Sequence, residues 1–456
     1  MSDDGNRHER GELARAIRLP GATAMVVGTI IGASIFVQPS EVTGRVPTPE
    51  GALLVWAVAG LLTFFGCIVT AELAALKPYS GGVYVFLRDA YSPLLGFLWG
   101  WAMFWTMHSG IIAAVAVVFA RYLAWFLPLG DTGGRLVAVS AILGLSAVNV
   151  LGVRHGSVLQ TAFTAVKVAA VVLIVAVGLA LGSPGTTAPA VPAPSGLLGG
   201  GSIADFLLAL GSGLFAFGGW HMVTYSAGET VEAGSTIPKA LLIGVVVVTA
   251  AYLALNLVYF RVLPLETVIS SDRIAADAAD AILGRGGGSV MSGLVAFSTF
   301  GALAGIVLAG PRVYHAMAGD GSMPRWVSEL HPVRRTPHRA ILLQAGWATV
   351  LVWTESYRTL FTRVIYTEWI FFGLMALGLF RLRRALGDRG ELRGAVHPWA
   401  HPWVPVLFAA ASFAIVANQI VAQPGESAIG LGLVLIGAPV YWIARRRSTP
   451  VEGPRT

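Results

Sequence analysis

Long apolar runs recur along the whole chain and limit it to one class of fold. About twelve such runs, each roughly 18–25 residues long, lie between residues 21 and 444. A run of this length crosses a hydrocarbon core of ~30 Å as an α-helix. Transmembrane β-strands are only about ten residues long and alternate in polarity, so a β-barrel is excluded. The runs therefore predict an all-α integral membrane protein with about twelve transmembrane helices in one folded unit.

We number the predicted helices 1 to 12 and use this numbering throughout. Their predicted ranges are 21–42, 51–76, 93–123, 135–152, 157–182, 201–228, 239–262, 289–317, 338–355, 364–382, 402–422 and 427–444. The net charge of +7 comes from arginines in short loops, so it indicates topology rather than nucleic-acid binding. The basic segments are residues 1–20, the loops after helices 8 and 10, and the tail 445–456. All four fall on one side of an even-numbered bundle, which predicts a cytoplasmic (inner) membrane protein with both termini in the cytoplasm.

The external loops, the N-terminal segment and the single cysteine give further expectations. Residues 183–200 carry no charge and are predicted to form an irregular external linker, while 264–288 form the longest external loop. The first 20 residues are polar, which is not typical of a signal peptide. Cys67 is the only cysteine and lies in an apolar run, so no internal disulfide is possible and no metal site or cofactor is predicted.

Glycines interrupt two of the apolar runs at corresponding positions. Helix 1 contains GTIIGASIF at 28–36, and helix 6 contains GSGLFAFGGW at 211–220. Such breaks in corresponding helices are typical of transporters with inverted repeats, although small residues at this spacing also pack helices together. Because the breaks are five helices apart, we predict inverted five-helix repeats at 21–182 and 201–382, followed by two added helices at 402–444.

A pair of broken helices has the chemistry to bind a zwitterion. The N-terminal end of a half-helix offers open N–H groups and a partial positive charge, which suits a carboxylate. The carbonyls freed on the other side of the break suit an ammonium group. An α-amino acid carries both groups, so the breaks can hold it without any charged side chain.

Several ionisable residues lie within the predicted spans, where charge is costly and often functional. Lys167, in the middle of helix 5, is interpreted as a fixed cation in place of sodium or as a protonatable coupling group; snorkelling to a crevice is the alternative. Glu368 in helix 10 either binds protons, favours a cationic substrate, or is a hydrated residue at the external mouth. His108 is predicted to be a packing residue, and His221 a pocket residue. Charge networks near the cytoplasmic ends involve Glu72, Glu229 and Arg312.

Motifs spread over nearly the whole chain resemble the amino acid–polyamine–organocation permeases, and among them the L-type amino-acid transporters and their bacterial relatives. The motifs are GTIIGASIFVQPSEV at 28–42, AELAALKPYSGGVYVFLRDAYSPLLGFLWGW at 71–101, FAFGGWHMVTYSAGE at 215–229, IPKA at 237–240 and GPRVYHAMAGDGSMP at 310–324. This resemblance implies the LeuT-like fold, with discontinuous helices 1 and 6. Together the motifs are specific, whereas any one alone would be weak.

The resemblance also implies a set of site residues. The substrate α-carboxylate and amine would be held by backbone groups of helix 1, Phe215 would be an aromatic gate, and Lys167 would replace sodium. The implied substrate-binding set is Thr29, Ile30, Gly32, Ala33, Ser34, Phe215, Ala216, Gly218, Trp220, His221 and Glu368. This chain departs from the family pattern in three places. Helix 1 reads Gly-Ala-Ser where Gly-Ser-Gly is common, and Asn is usual where His221 stands and frequent where Glu368 stands.

We therefore predict a secondary amino-acid transporter that works by alternating access, through sodium-independent exchange or proton-coupled uptake. Three alternatives stay open: a polyamine or cationic amino-acid permease, a membrane enzyme and a non-transporting sensor. An enzyme is disfavoured because no polar catalytic cluster or soluble domain is visible. A disulfide-linked partner subunit is not expected, because Cys67 lies inside a helix. The sequence does not distinguish between substrate side chains.

Overall fold

The computed structural model describes residues 15, 17–32, 34–151, 153–182, 196–284, 286–334, 336–386 and 400–447. Within these ranges the chain is helical and has no strand, only a single parallel bridge between Ile17 and Thr230. The uninterrupted spans are helix 2 Pro49–Leu76, helix 4 Asp131–Leu151, helix 5 Val153–Leu181, helix 7 Ala233–Val262, helix 8 Gly287–Gly319, helix 9 His338–Thr354, helix 10 Tyr357–Leu386, helix 11 Trp403–Ala422 and helix 12 Pro424–Arg447.

Three spans are composite. Helix 1 consists of helix 1a, Leu19–Ile30, and helix 1b, which begins with a 3₁₀ turn at Ser34–Phe36 and continues as Gln38–Arg45. Helix 6 consists of helix 6a, Ile203–Ala216, and helix 6b, a 3₁₀ segment at Trp220–Glu229. Helix 3 runs through Pro93–Ala102, a π-helical turn at Met103–Met107 and His108–Leu123. The interruptions in helices 1 and 6 lie where the glycine patterns predict them.

The number of spans agrees with the prediction of about twelve. Eleven of the described helices are long and apolar enough to cross a membrane. Helix 9 has 17 residues and is about 26 Å long at 1.5 Å per residue, and it packs against helices 3, 4 and 8. The predicted all-α membrane fold is confirmed.

Local sequence signals explain where several spans begin. Thr48 and Ser92 each precede a proline and accept a hydrogen bond from a backbone N–H in the first turn of helices 2 and 3. Proline at this position loses no helical hydrogen bond, and the hydroxyl satisfies an otherwise open donor. Helix 6a begins with a reciprocal capping box between Ser202 and Asp205.

Some predicted boundaries differ from the structure. Helix 10 begins at Tyr357 rather than 364, because Ser356 caps its first turn and polar residues occupy that turn and the next. The external loop 264–288 contains two short helices, Leu265–Ser270 and Ile274–Leu283, and a further helix, Val83–Ala90, precedes helix 3. The predicted irregular linker is described only at residues 196–200, which form turns; residues 183–195 lie outside the described ranges.

The packing places the two broken helices at the centre of the bundle. Helix 1a contacts helices 5, 7 and 8 as well as helix 6b. Helix 6a contacts helices 2, 10 and 11. The main-chain groups freed at both breaks are therefore surrounded by protein, as the lack of water in a bilayer core requires.

Candidate substrate site

The break in helix 1 leaves backbone carbonyls without their helical donors. In a continuous helix, the N–H of Gly32 would donate to Gly28; here it donates to the carbonyl of Ile30 at 2.7 Å instead. The backbone of Ile31 leaves the helical conformation at φ −69° and ψ 82°. The carbonyl of Gly28 is thus free for another donor. Ala33, which we predict to be part of this site, lies outside the described residues.

The break in helix 6 depends on a glycine in a left-handed conformation. Helix 6a ends where the N–H of Gly218 donates to Phe215 O at 3.0 Å, and Gly219 follows at φ +97°. A Cβ on Gly219 would lie 3.2 Å from both Cβ and O of Thr29. The two breaks therefore touch. The Thr29 hydroxyl lies 3.2 Å from Gly219 O and also bonds within helix 1a, to Met25 O at 2.8 Å.

Lys167 binds the carbonyls that the helix 1 break frees. Its Nζ donates to Gly28 O at 2.7 Å and to Ile31 O at 3.0 Å. Only 1% of the side chain is exposed. Two carbonyl oxygens around one cation are an arrangement that a metal cation also uses. The lysine predicted to be a fixed cation thus lies directly beside the break, and the snorkelling alternative is wrong because the ammonium is buried and bound.

Tyr252 of helix 7 contacts the ends of both half-helices. Its hydroxyl lies 2.8 Å from Ile30 O and 3.0 Å from Ala216 O, the last carbonyls of helices 1a and 6a. A hydroxyl has one proton, so it donates to one of these carbonyls at a time. Our sequence reasoning missed Tyr252. The signal was present, because a tyrosine hydroxyl at bilayer depth needs a partner.

Both breaks line a single cavity. Eight of the predicted substrate-binding residues line it: Thr29, Ile30, Gly32, Ser34, Phe215, Ala216, Gly218 and Glu368. The other lining residues are Ile111, Val115, Gly219, Met222, Ile306 and Val364. The cavity is apolar on its helix 3 and helix 8 side and polar at the breaks.

Comparison with known proteins agrees with this geometry. The family model described as amino acid permease matches residues 17–444. The chain belongs to the amino acid permease family. It is similar to a serine/threonine exchanger of Bacillus subtilis, with 28% identity over 96% of this chain and 99% of that protein. It is 32% identical to the human b(0,+)-type amino acid transporter 1 over 90% of this chain and 84% of that protein. It is 27% identical to the human cystine/glutamate transporter over 95% of this chain and 86% of that protein.

In this amino acid permease, Trp220 and His221 lie outside the cavity lining, although we predict both to be substrate-binding residues. Both are buried in an aromatic cluster with rings of helices 3 and 10. The ring centroid of Phe372 is 5.1 Å from that of Trp220 and 5.0 Å from that of His221, and Trp99 lies 5.8 Å from His221. The turn at Gly219 directs the start of helix 6b toward these rings, so the two side chains pack behind the site.

Charged residues at the ends of the spans form pairs. Glu229, at the end of helix 6b, pairs with Arg312 of helix 8 at 3.1 Å, and Glu72 of helix 2 pairs with Arg383 of helix 10. These pairs involve the three charged residues that we expect to brace a closed state. His108 bonds Ile306 O at 2.8 Å and is buried, which fits the predicted packing role.

Main-chain hydrogen bonds also join the segment before helix 1 to the segment after helix 6b. The N–H of Ile17 donates to Glu229 O, and the N–H of Val231 donates to Ile17 O, both at 2.9 Å. We call this pair of bonds the Ile17 clasp. It joins the two segments at the end of the broken helices where Glu229 and Arg312 pair.

Replacing Tyr252 with phenylalanine is expected to slow substrate exchange by roughly tenfold while the protein still folds. The change removes a hydroxyl that donates to one of two buried carbonyls at a time, and an unsatisfied buried group costs about 1–3 kcal/mol. Tyr259→Phe is a matched control, because no described residue is hydrogen-bonded to the Tyr259 hydroxyl. Exchange rates in proteoliposomes and thermal stability in detergent would be measured for both variants. Equal behaviour of the two would contradict a role for the Tyr252 hydroxyl.

Proposed function

We propose that this permease exchanges amino acids across the cytoplasmic membrane by alternating access, without sodium, as a carrier and not as an enzyme. The single observation that carries the proposal is that the breaks in helices 1 and 6 line the same cavity. Membership of the amino acid permease family supports it, as does the similarity to a protein named as an exchanger.

The cavity offers complementary groups to the two ends of an amino acid. Helix 1b begins at Ser34, so the open N–H groups of its first turn favour the α-carboxylate. The carbonyl at the end of helix 6a, that of Ala216, has a second lone pair beside the one that faces Tyr252, and it favours the α-ammonium. Backbone groups recognise only what all amino acids share, so side-chain selectivity comes from the rest of the lining. Within this scheme Phe215, beside Phe361 at a ring distance of 5.5 Å, is the gate that closes over the substrate.

The position of Lys167 supports sodium independence. An ammonium that already bonds Gly28 O and Ile31 O occupies the carbonyl oxygens that a sodium ion would need. Gly28 lies in helix 1a and Ile31 in the break itself, so the ammonium also fixes the backbone of the break relative to helix 1a. We propose that Lys167 stabilises the substrate-binding conformation without an ion gradient.

The arginine distribution supports the proposed orientation. Basic residues cluster at the ends of helices 10 and 12 and before helix 1, and such clusters face the cytoplasm. The Ile17 clasp and the Glu229–Arg312 pair then lie on the cytoplasmic side. We further propose that residues 21–182 and 201–382 are the inverted repeats that move relative to each other. Cys67 is buried within helix 2, so we propose that no disulfide-linked subunit is needed.

Purified protein in liposomes is expected to take up labelled amino acid only when unlabelled amino acid is present inside, and to do so equally with sodium or choline. The binding site of an exchanger returns to the outside only with an internal amino acid bound. Lys167 removes the need for sodium. Uptake would be measured for a panel of neutral, acidic and basic amino acids.

Each alternative has its own result in that assay. Sodium-dependent uptake, or acid-driven uptake into empty liposomes, would contradict the proposed exchange. Binding of amino acids without any flux would favour the sensor, and transport of polyamines alone would favour the polyamine permease.

A further inference from the structure

Among the described residues that line the substrate cavity, Glu368 is the only one with a charged side chain. It lies in helix 10, four residues after Val364, which also lines the cavity, so the two share one helix face. Ile111 and Val115 of helix 3 are further lining residues. Only 6% of Glu368 is exposed. The carboxylate is therefore inside the protein at the mainly apolar part of the site, not at a hydrated external mouth.

No hydrogen bond or ion pair from another described residue satisfies this carboxylate. Four other glutamates of the bundle are paired: Glu72 with Arg383, Glu229 with Arg312, and both Glu355 and Glu426 with Arg363. Lys167 does not serve as the partner, because it lines a separate cavity and donates to carbonyls of helix 1. Among the described residues, Glu368 is an unpaired acceptor directed into the substrate cavity.

The other polar groups of the cavity account for the two charges of the amino-acid backbone. Open N–H groups suit the α-carboxylate, and the second lone pair of the Ala216 carbonyl suits the α-ammonium, so the backbone of a zwitterion leaves Glu368 without a partner. A buried carboxylate is stable when it is paired with a cation and hydrogen-bonded. A ligand with a second positive charge, on its side chain, would provide this cation for the Glu368 carboxylate.

We propose that Glu368 selects amino acids with a cationic side chain, such as lysine, ornithine or arginine. The proposal rests on the proposed function, because the same cavity binds the amino-acid backbone. The ligand then makes charged contacts at both ends: its backbone at the helix breaks and its side-chain cation at Glu368. The aliphatic part of such a side chain packs against the apolar residues of helices 3 and 8, including Ile111, Val115 and Ile306.

Exchange in proteoliposomes is the test, with lysine and norleucine as the ligand pair. Norleucine has the same backbone and a side chain of similar length, but a methyl group in place of the ammonium. Wild-type protein is expected to prefer lysine by at least about tenfold in apparent affinity, as expected for a hydrogen bond to a charged group. Glu368→Gln is expected to remove this preference: the apparent affinity for lysine should fall, while that for norleucine should stay unchanged or rise. Glu368→Asp, which keeps the charge, should retain part of it.

Two further measurements keep the result interpretable. Glu266→Gln removes the same charge from an exposed surface position, so its lysine preference should equal that of wild type. Thermal shifts of detergent-solubilised protein on adding lysine or norleucine report binding even where a variant transports poorly.

The outcomes separate the two proposals. Exchange of neutral amino acids with no preference for lysine would overturn the role of Glu368 and leave the proposed function intact. Equal loss of lysine and norleucine exchange in a folded Glu368→Gln protein would also overturn it, because the residue would then serve the transport cycle rather than selection. Absence of any amino-acid exchange by wild type would overturn the proposed function itself.

Discussion

Replacing Lys167 with alanine is expected to abolish exchange while leaving folded protein in the membrane. The side chain donates to Gly28 O and Ile31 O, and both carbonyls face protein rather than water. Each carbonyl left without a donor costs about 1–3 kcal/mol, so the substrate-binding geometry of helix 1 is destabilised by about 2–6 kcal/mol. Exchange in proteoliposomes and thermal stability in detergent would be measured together, since the first should fall much further than the second.

Two comparisons isolate the charge of Lys167. Lys167→Met keeps most of the side-chain volume but removes the ammonium, so it should be as inactive as Lys167→Ala. Lys239→Ala removes a lysine that is exposed at the start of helix 7, and it should exchange at the wild-type rate. Full activity in either Lys167 variant would show that the carbonyls of the break need no fixed cation.

Replacing Gly219 with alanine is the second change with a large expected effect. At φ +97° an L-residue is strained, and the added Cβ would press on Thr29 of helix 1 at 3.2 Å. Strain of this kind costs about 1–3 kcal/mol. If it acts on substrate binding, exchange at low substrate concentration should fall by roughly tenfold to a hundredfold. Valine at this position should lower the exchange rate further than alanine, because its two methyl groups extend further toward helix 1.

Gly144→Ala is the matched control for this prediction. Gly144 lies within helix 4, its φ is not positive, and no atom outside the backbone of its own helix lies within 4 Å of the position of an added Cβ. Alanine should therefore leave exchange unchanged and favour the helix slightly. Wild-type affinity and rate in Gly219→Ala would show that neither the backbone strain at this position nor crowding against Thr29 affects transport.

Much of the fold follows from patterns that are local in the sequence. The length of each apolar run predicts a span, and the glycines at 28–32 and 211–219 predict the two interruptions. A lysine in the middle of helix 5 is costly enough at bilayer depth that its involvement in a site is a sound expectation. Each of these inferences needs only one segment of chain and the thickness of the bilayer.

The features that the sequence did not predict depend on how separate segments meet. Tyr252 looks like a packing residue until helix 7 is placed against both breaks. Trp220 and His221 follow the break as pocket residues would, yet the left-handed turn at Gly219 sends them into an aromatic cluster. Helix 10 begins seven residues earlier than its apolar run: Ser356 caps its first turn, and the charged Arg363 within the added turns pairs with Glu426 of helix 12. Contacts between distant segments decide all three.

The Ile17 clasp is made entirely of main-chain atoms, and this has a consequence for its evolution. Side chains on either segment can change freely without weakening the bonds, because every residue except proline carries the same donor and acceptor. Relatives with quite different residues at these positions can therefore keep the same clasp. Its strength is insensitive to most mutations, so a comparison of sequences alone would overlook it.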